Sequence, residues 1–119
     1  MIIETAIISY LTSAGLSVGS NVFGEVPEDP PASYVLIEKT GSGRADRIDR
    51  AMVAIQSIVR RDRGGSLLDA IELNEEVKAA MESFAATDAV FSCDLNSDYN
   101  FTNPETKEYR YQAVYNIYF

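Results

Sequence analysis

The residue types that carry most protein chemistry are sparse in this chain. There is no histidine among its 119 residues, which removes the commonest general base near neutral pH and the commonest metal ligand. The single cysteine, Cys93, has no second cysteine and no imidazole to join it. Zinc sites and Cys–His nucleophiles are therefore excluded, and a cysteine in an apolar run reads as a small core hydrophobe. One cysteine also precludes an intramolecular disulfide framework and fits a reducing compartment. Gly41-Ser42-Gly43 has the look of a phosphate loop, but no Lys-Ser/Thr follows it and charges, not a helix, come next. Asp94 and Asp98 flank Asn96 like a fragment of a calcium loop, without its glycine or closing glutamate. No serine sits in a G-x-S-x-G setting, and nothing singles out a working pair among the eighteen acids. The chain offers no catalytic group, metal or cofactor; it reads as a binding or assembly protein and not as an enzyme.

What stands out instead is arginine and tyrosine. Six of the ten basic residues, Arg44, Arg47, Arg50, Arg60, Arg61 and Arg63, lie in one stretch. Asp46, Asp49 and Asp62 are interleaved with them, and no aromatic lies among them to stack a base. That speaks against a nucleic-acid patch and suits ion pairing with a neighbouring subunit, with a solvated loop as the plain alternative. The closing segment adds Tyr109, Arg110, Tyr111 and Tyr115, a Tyr–Arg–Tyr strand suited to an interface, with a buried sheet face as its alternative. Between Ser66 and Glu105 there are nine acids and one base, Lys78. The chain thus has an arginine-rich part and an acidic part, which suits head-to-tail stacking, with both stretches as solvated surface the plain alternative. Its net charge of −8 disfavours nonspecific binding to nucleic acid or anionic membrane.

These residues must be held by a small set of elements. Ala51–Arg60, AMVAIQSIVR, is apolar on both faces, with Val53, Ile55 and Val59 one way and Met52, Ala54 and Ile58 the other; this is a central strand. Tyr34–Thr40, YVLIEKT, is its hairpin partner across the loop Gly41–Asp49. The N-terminal segment Ile2–Ala14 carries a helical stripe (Ile3, Ala6, Ile7, Tyr10, Leu11, Ala14) stopped by Gly15. It has no basic n-region and reads as a core helix, not a signal peptide. A short strand over Asn21–Phe23 precedes a stiff crossover with Pro27, Pro30 and Pro31. Gly64 and Gly65 end the central strand, and Ser66 with Asp69 makes a capping box for a long amphipathic helix to Phe84. Its stripe is Leu67, Ala70, Ile71, Val77, Ala80, Met81 and Phe84. A β-prone run, Ala89–Cys93, opens an 89–101 strand, and EYRYQAVYNIYF alternates as a terminal strand paired with it.

The expected fold is α+β: a single domain over residues 1–119, a mainly antiparallel sheet with two helices packed on one face. No apolar run approaches the roughly 20 residues that span a bilayer.

The order of these elements and their wording, VPEDPPASYVLIEKTG into a strand, AMVAIQSIVR, the helix LLDAIELNEEVKAAM and the closing EYRYQAVYNIYF, spans nearly the whole chain. It resembles the small tail-terminator proteins (tail-completion, tail-to-head joining or minor capsid proteins) of long-tailed bacteriophages and prophages. The resemblance implies a homo-oligomeric, hexameric ring on the virion tail, built in the bacterial host cytoplasm. Such a ring caps the tail-tube protein and docks onto a head-completion or connector protein. DNA would be only passing cargo, and an acidic lumen would let it slide. Two other readings stand beside it: another head–tail joint such as a head-closure protein, and a small acidic adaptor or inhibitor that binds a basic partner through the 69–82 helix face.

Overall fold

Strand β3 (Ile48–Arg60) is the middle of a five-stranded sheet, as its two apolar faces require. The computed structural model describes all 119 residues. Helix α1 (Ile3–Thr12) leads through β1 (Val22–Phe23) to β2 (Ser33–Ala45), which turns directly into β3. A 3-10 turn, Arg61–Arg63, delivers the chain to helix α2 (Leu67–Ala85), and β4 (Ser92–Asn100) and β5 (Glu108–Tyr118) close the chain. The sheet order is β1-β2-β3-β5-β4. Only β1 and β2 are parallel, joined by the proline-rich segment; every other pairing is antiparallel.

Alternation sorts the sheet residues onto two faces. Val35 and Ile37, Ala51, Val53 and Ile55, and Ala113, Tyr115 and Ile117 point to one side. There they meet Ile3, Ile7 and Leu11 of α1 and Leu73, Val77, Met81 and Phe84 of α2 in a single core. Tyr10 and Phe84 lock the two helices edge to face at 5.1 Å. The opposite face carries no helix. Tyr34, Leu36 and Ile58 nevertheless form a second small apolar cluster there, with Phe23 against it. The expected capping box holds: Ser66 Oγ accepts from the Asp69 amide, and the Asp69 carboxylate accepts from the Ser66 amide.

Four local expectations are corrected. Gly41–Asp49 is not a loop: β2 and β3 stay paired to Ala45 and Ile48, and only Asp46 and Arg47 turn, both with positive φ (50° and 67°). Backbone ladder bonds need no side chain, so Gly41 and Gly43 pair with Met52 and Arg50 like any residue. Helix α1 ends at Thr12 rather than Ala14, with Gly15 left-handed (φ 78°) beyond it. The fourth strand starts at Ser92 rather than at residue 89; it keeps the polar run expected within it, which an edge strand open to water on one face accepts. On α2, Leu73 and Asn74 are buried where Ile71 was expected, so the core stripe is rotated slightly along the helix.

Candidate subunit and partner interface

The six arginines form two groups, not one patch. A strand advances about 3.3 Å per residue, so β3 sets Arg50 and Arg60 about 33 Å apart. Arg44, Arg47 and Arg50 sit exposed at the hairpin tip. Arg44 reaches Asp49 at 3.6 Å, an exposed pair of little worth. The guanidinium of Arg50 lies over Gly43, where a Cβ would stand 3.4 Å from it. Arg44, Ala45, Asp46, Ile48, Arg50 and Tyr118 line a shallow depression of about 370 Å³ at this tip.

The other three arginines mostly serve the fold. Arg60 donates to the Pro30 carbonyl at 2.7 Å and grips Asp62 through two bonds, 3.1 and 2.8 Å. It thereby ties the proline crossover to the end of β3, and the hydrogen bond from Arg60 holds the Asp62 carboxyl below its ordinary range. Arg61 donates to the Thr106 carbonyl oxygen, and its guanidinium lies 5.5 Å from the Tyr109 ring centre. Arg63 is exposed without an ion pair.

In the terminal strand, Tyr109 and Tyr111 are half-buried. Tyr115 is a correction to the expectation of an exposed tyrosine: it is 3% exposed and lies in the core beneath α2. Its phenol pKa is raised, chiefly by burial. Arg110 faces the helix-free side and organises a polar chain there. Its Nε and Nη2 donate to Glu108 Oε2 at 3.2 and 2.7 Å, and its Nη1 donates to Gln56 Oε1 at 2.7 Å. Gln56 Nε2 donates to Gln112 Oε1 at 2.9 Å, and Gln112 Nε2 donates to the Tyr99 hydroxyl at 2.6 Å. At the other end Tyr34 donates its hydroxyl to Glu108 Oε1 at 3.0 Å. Burial, then the bond to Glu108, pushes the Tyr34 phenol up to about 12. The chain therefore crosses β2, β3, β5 and β4 on an otherwise bare sheet face. Sequence reasoning missed it, although one signal was available: Gln56 and Gln112 are polar residues inside strands whose neighbours are apolar.

The acidic side is partly committed to internal bonds. Asp98 accepts from Asn74 at 2.8 Å and pairs with Lys78 at 2.9 Å; Lys78 also pairs with Glu75. The Lys78 bond, then the Asn74 bond, holds the Asp98 carboxyl low. Glu76 takes both the Ser17 amide and the Ser17 hydroxyl. Asp94 pairs across from Asn116 on the helix-free face, whereas Asp98, beyond the bulge after Leu95, turns under α2. The two carboxylates do not converge, and no group of three or more Asp, Glu or Cys side chains comes together. Cys93 is buried, and burial pushes its thiol up to about 11. These surfaces can form ion pairs, hydrogen bonds and apolar contacts.

No protein-family model matches the sequence, and no curated protein is significantly similar to it. Among solved structures, the chain shares its fold with a chain of the virion of a native gene transfer agent particle. The TM-score is 0.67 at 15% identity, over 98% of this chain and 92% of that one.

Proposed function

We propose that this protein is a structural component of a phage-like virion, and within it the tail terminator: a ring that caps the tail tube and joins it to the head. The observation that carries the reading is the fold shared from end to end with a chain of a gene transfer agent virion. The split of charge supports it. The exposed arginines of the hairpin tip and the acids around α2 give one subunit two unlike surfaces, as head-to-tail assembly needs.

Solution mass by light scattering over a concentration series, with electron microscopy of any large species, tests the ring. Adding the ring to assembling tail-tube protein then tests the terminator role: tubes should stop growing and carry a ring at one end. Rings that bind a head connector but ignore tube ends would move the protein to head closure. A monomer that neither assembles nor binds tube would end the virion-ring reading.

A further inference from the structure

The two edges of the sheet are open, level with each other and unlike. On one side β1 covers only Val35 and Leu36 of β2, which leaves the outer edge of β2 without a partner strand from Ile37 to Ala45. On the other side no strand lies beyond β4. Followed across the four long strands, the registers put Ser92, Asp94 and Ser97 of β4 level with Gly43, Gly41 and Glu38 of β2. Each edge has one bulge at nearly the same height, after Lys39 and after Leu95. Three successive antiparallel pairings also make β4 run opposite to β2.

Exposed apolar side chains flank both edges. Phe91, 74% exposed, precedes β4, and Leu95, 43% exposed, lies within it. Met1, 69% exposed, borders the same depression as Ser42 and Gly43 of β2, and the adjoining Ile2 is 67% exposed. Charge is complementary as well. Residues 38–50 hold four bases against three acids, whereas residues 88–100 hold three acids and no base. Open edges with exposed apolar neighbours are ordinarily a hazard that proteins cover.

We propose that copies of this chain join edge to edge, β4 of one copy pairing antiparallel with the 37–45 edge of β2 in the next. Phe91 and Leu95 then pack against the neighbour's Met1 and Ile2. The inference rests on the ring reading above and deepens it. A second copy turned about an axis along the strands keeps its strand directions, so the two unlike edges meet antiparallel, as the ladder requires. Because each copy offers one edge of each kind, the contact is heterologous and repeats until a ring closes. Gly41 suits this edge: a Cβ there would meet nothing within 4 Å, so the backbone is left open to a neighbour's strand.

The test pairs two cysteines. Glu38→Cys and Ser97→Cys in one chain place thiols level on opposite edges, both on the helix-free face. Under mild oxidation the double variant should give a disulfide ladder in multiples of 13.1 kDa. Either single variant alone should give none, and an equal mixture of the two should stop at the dimer. Ser42→Pro, at an exposed edge position, should raise the concentration needed for assembly roughly tenfold or more while the chain keeps its monomer circular-dichroism spectrum. Rings that persist in Ser42→Pro, with no ladder in the double variant, would overturn edge pairing and leave the ring reading standing. Absence of both rings and ladder would overturn both.

Discussion

Gln56 and Gln112 face each other across β3 and β5 and share one amide hydrogen bond of 2.9 Å, both nearly excluded from solvent at 4% and 7% exposure. Their outer ends are held too, by Arg110 and by the Tyr99 hydroxyl. A buried amide that loses its partner keeps its desolvation cost, about 1–3 kcal/mol. Gln112→Leu should therefore lower unfolding free energy by about that amount in urea titration. Gln112→Leu combined with Tyr99→Phe should cost less than the sum of the two, since both break the same bond. Strict additivity would show that the chain is not one network.

The turn from β3 into α2 has no room for a side chain. A Cβ on Gly65 would overlap Val59 Cγ1 and lie 2.9 Å from the Arg60 carbonyl oxygen, and backbone cannot swing away. Gly65→Ala should cost about 1–3 kcal/mol, the range of overpacked cores. Gly64 meets nothing but is left-handed at φ 84°. Gly64→Ala should cost about 1 kcal/mol through backbone strain alone. Urea denaturation of the two variants separates the mechanisms.

The hairpin tip is strained in a way that invites a stabilising change. Asp46 and Arg47 both have positive φ, the geometry of a two-residue type I′ turn, where Asn-Gly is the preferred pair. Asp46→Asn with Arg47→Gly should add about 0.5–1.5 kcal/mol and raise the melting temperature. If Arg47 contacts a partner, the same variant should assemble less well while melting higher. Melting curves and light scattering on one sample read both effects.

Much of this architecture was legible in residue patterns. AMVAIQSIVR is apolar on both faces, and it lies at the centre of the sheet with Val53 and Ile55 beneath the helices and Ile58 opposite. Ser66 and Asp69 marked the start of α2 to the residue. The arginines were harder, because closeness in sequence is not closeness in space along an extended strand. Arg50 and Arg60 belong to opposite ends of the molecule. Of the polar chain only its members showed, as glutamines inside apolar strands; nothing about Gln56 names a partner 56 residues away. Tyr115 alternated correctly with its neighbours, but alternation alone does not say which face a helix covers.

Burial of Cys93 makes a simple kinetic prediction. The thiolate is the reactive form, and this thiol is both covered and shifted up to about 11. A thiol reagent at neutral pH should react slowly with the native chain and take up one equivalent rapidly after denaturation. Fast native labelling would mean that β4 opens readily from α2.

The pH dependence of stability has two limbs with different owners. Asp98 is held below the ordinary carboxylate range, first by Lys78 and then by Asn74. A group with a lowered folded pKa stabilises the fold above its unfolded value, and that contribution is lost as pH falls through the folded one. Stability should therefore decline below about pH 4, and the decline should be shallower in Asp98→Asn. Tyr34 behaves oppositely: its phenol is raised to about 12 from 10.0, so the folded state holds a proton that the unfolded chain releases first. Its contribution is complete below pH 10.0 and is lost as pH rises toward about 12. Tyr115, buried in the core, shifts in the same direction. In an absorbance titration of phenolate, two of the seven tyrosines should ionise late, and Tyr34→Phe should remove one of them. A Tyr34→Phe chain whose alkaline stability loss is unchanged would mean that the bond to Glu108 does not anchor this end of the polar chain.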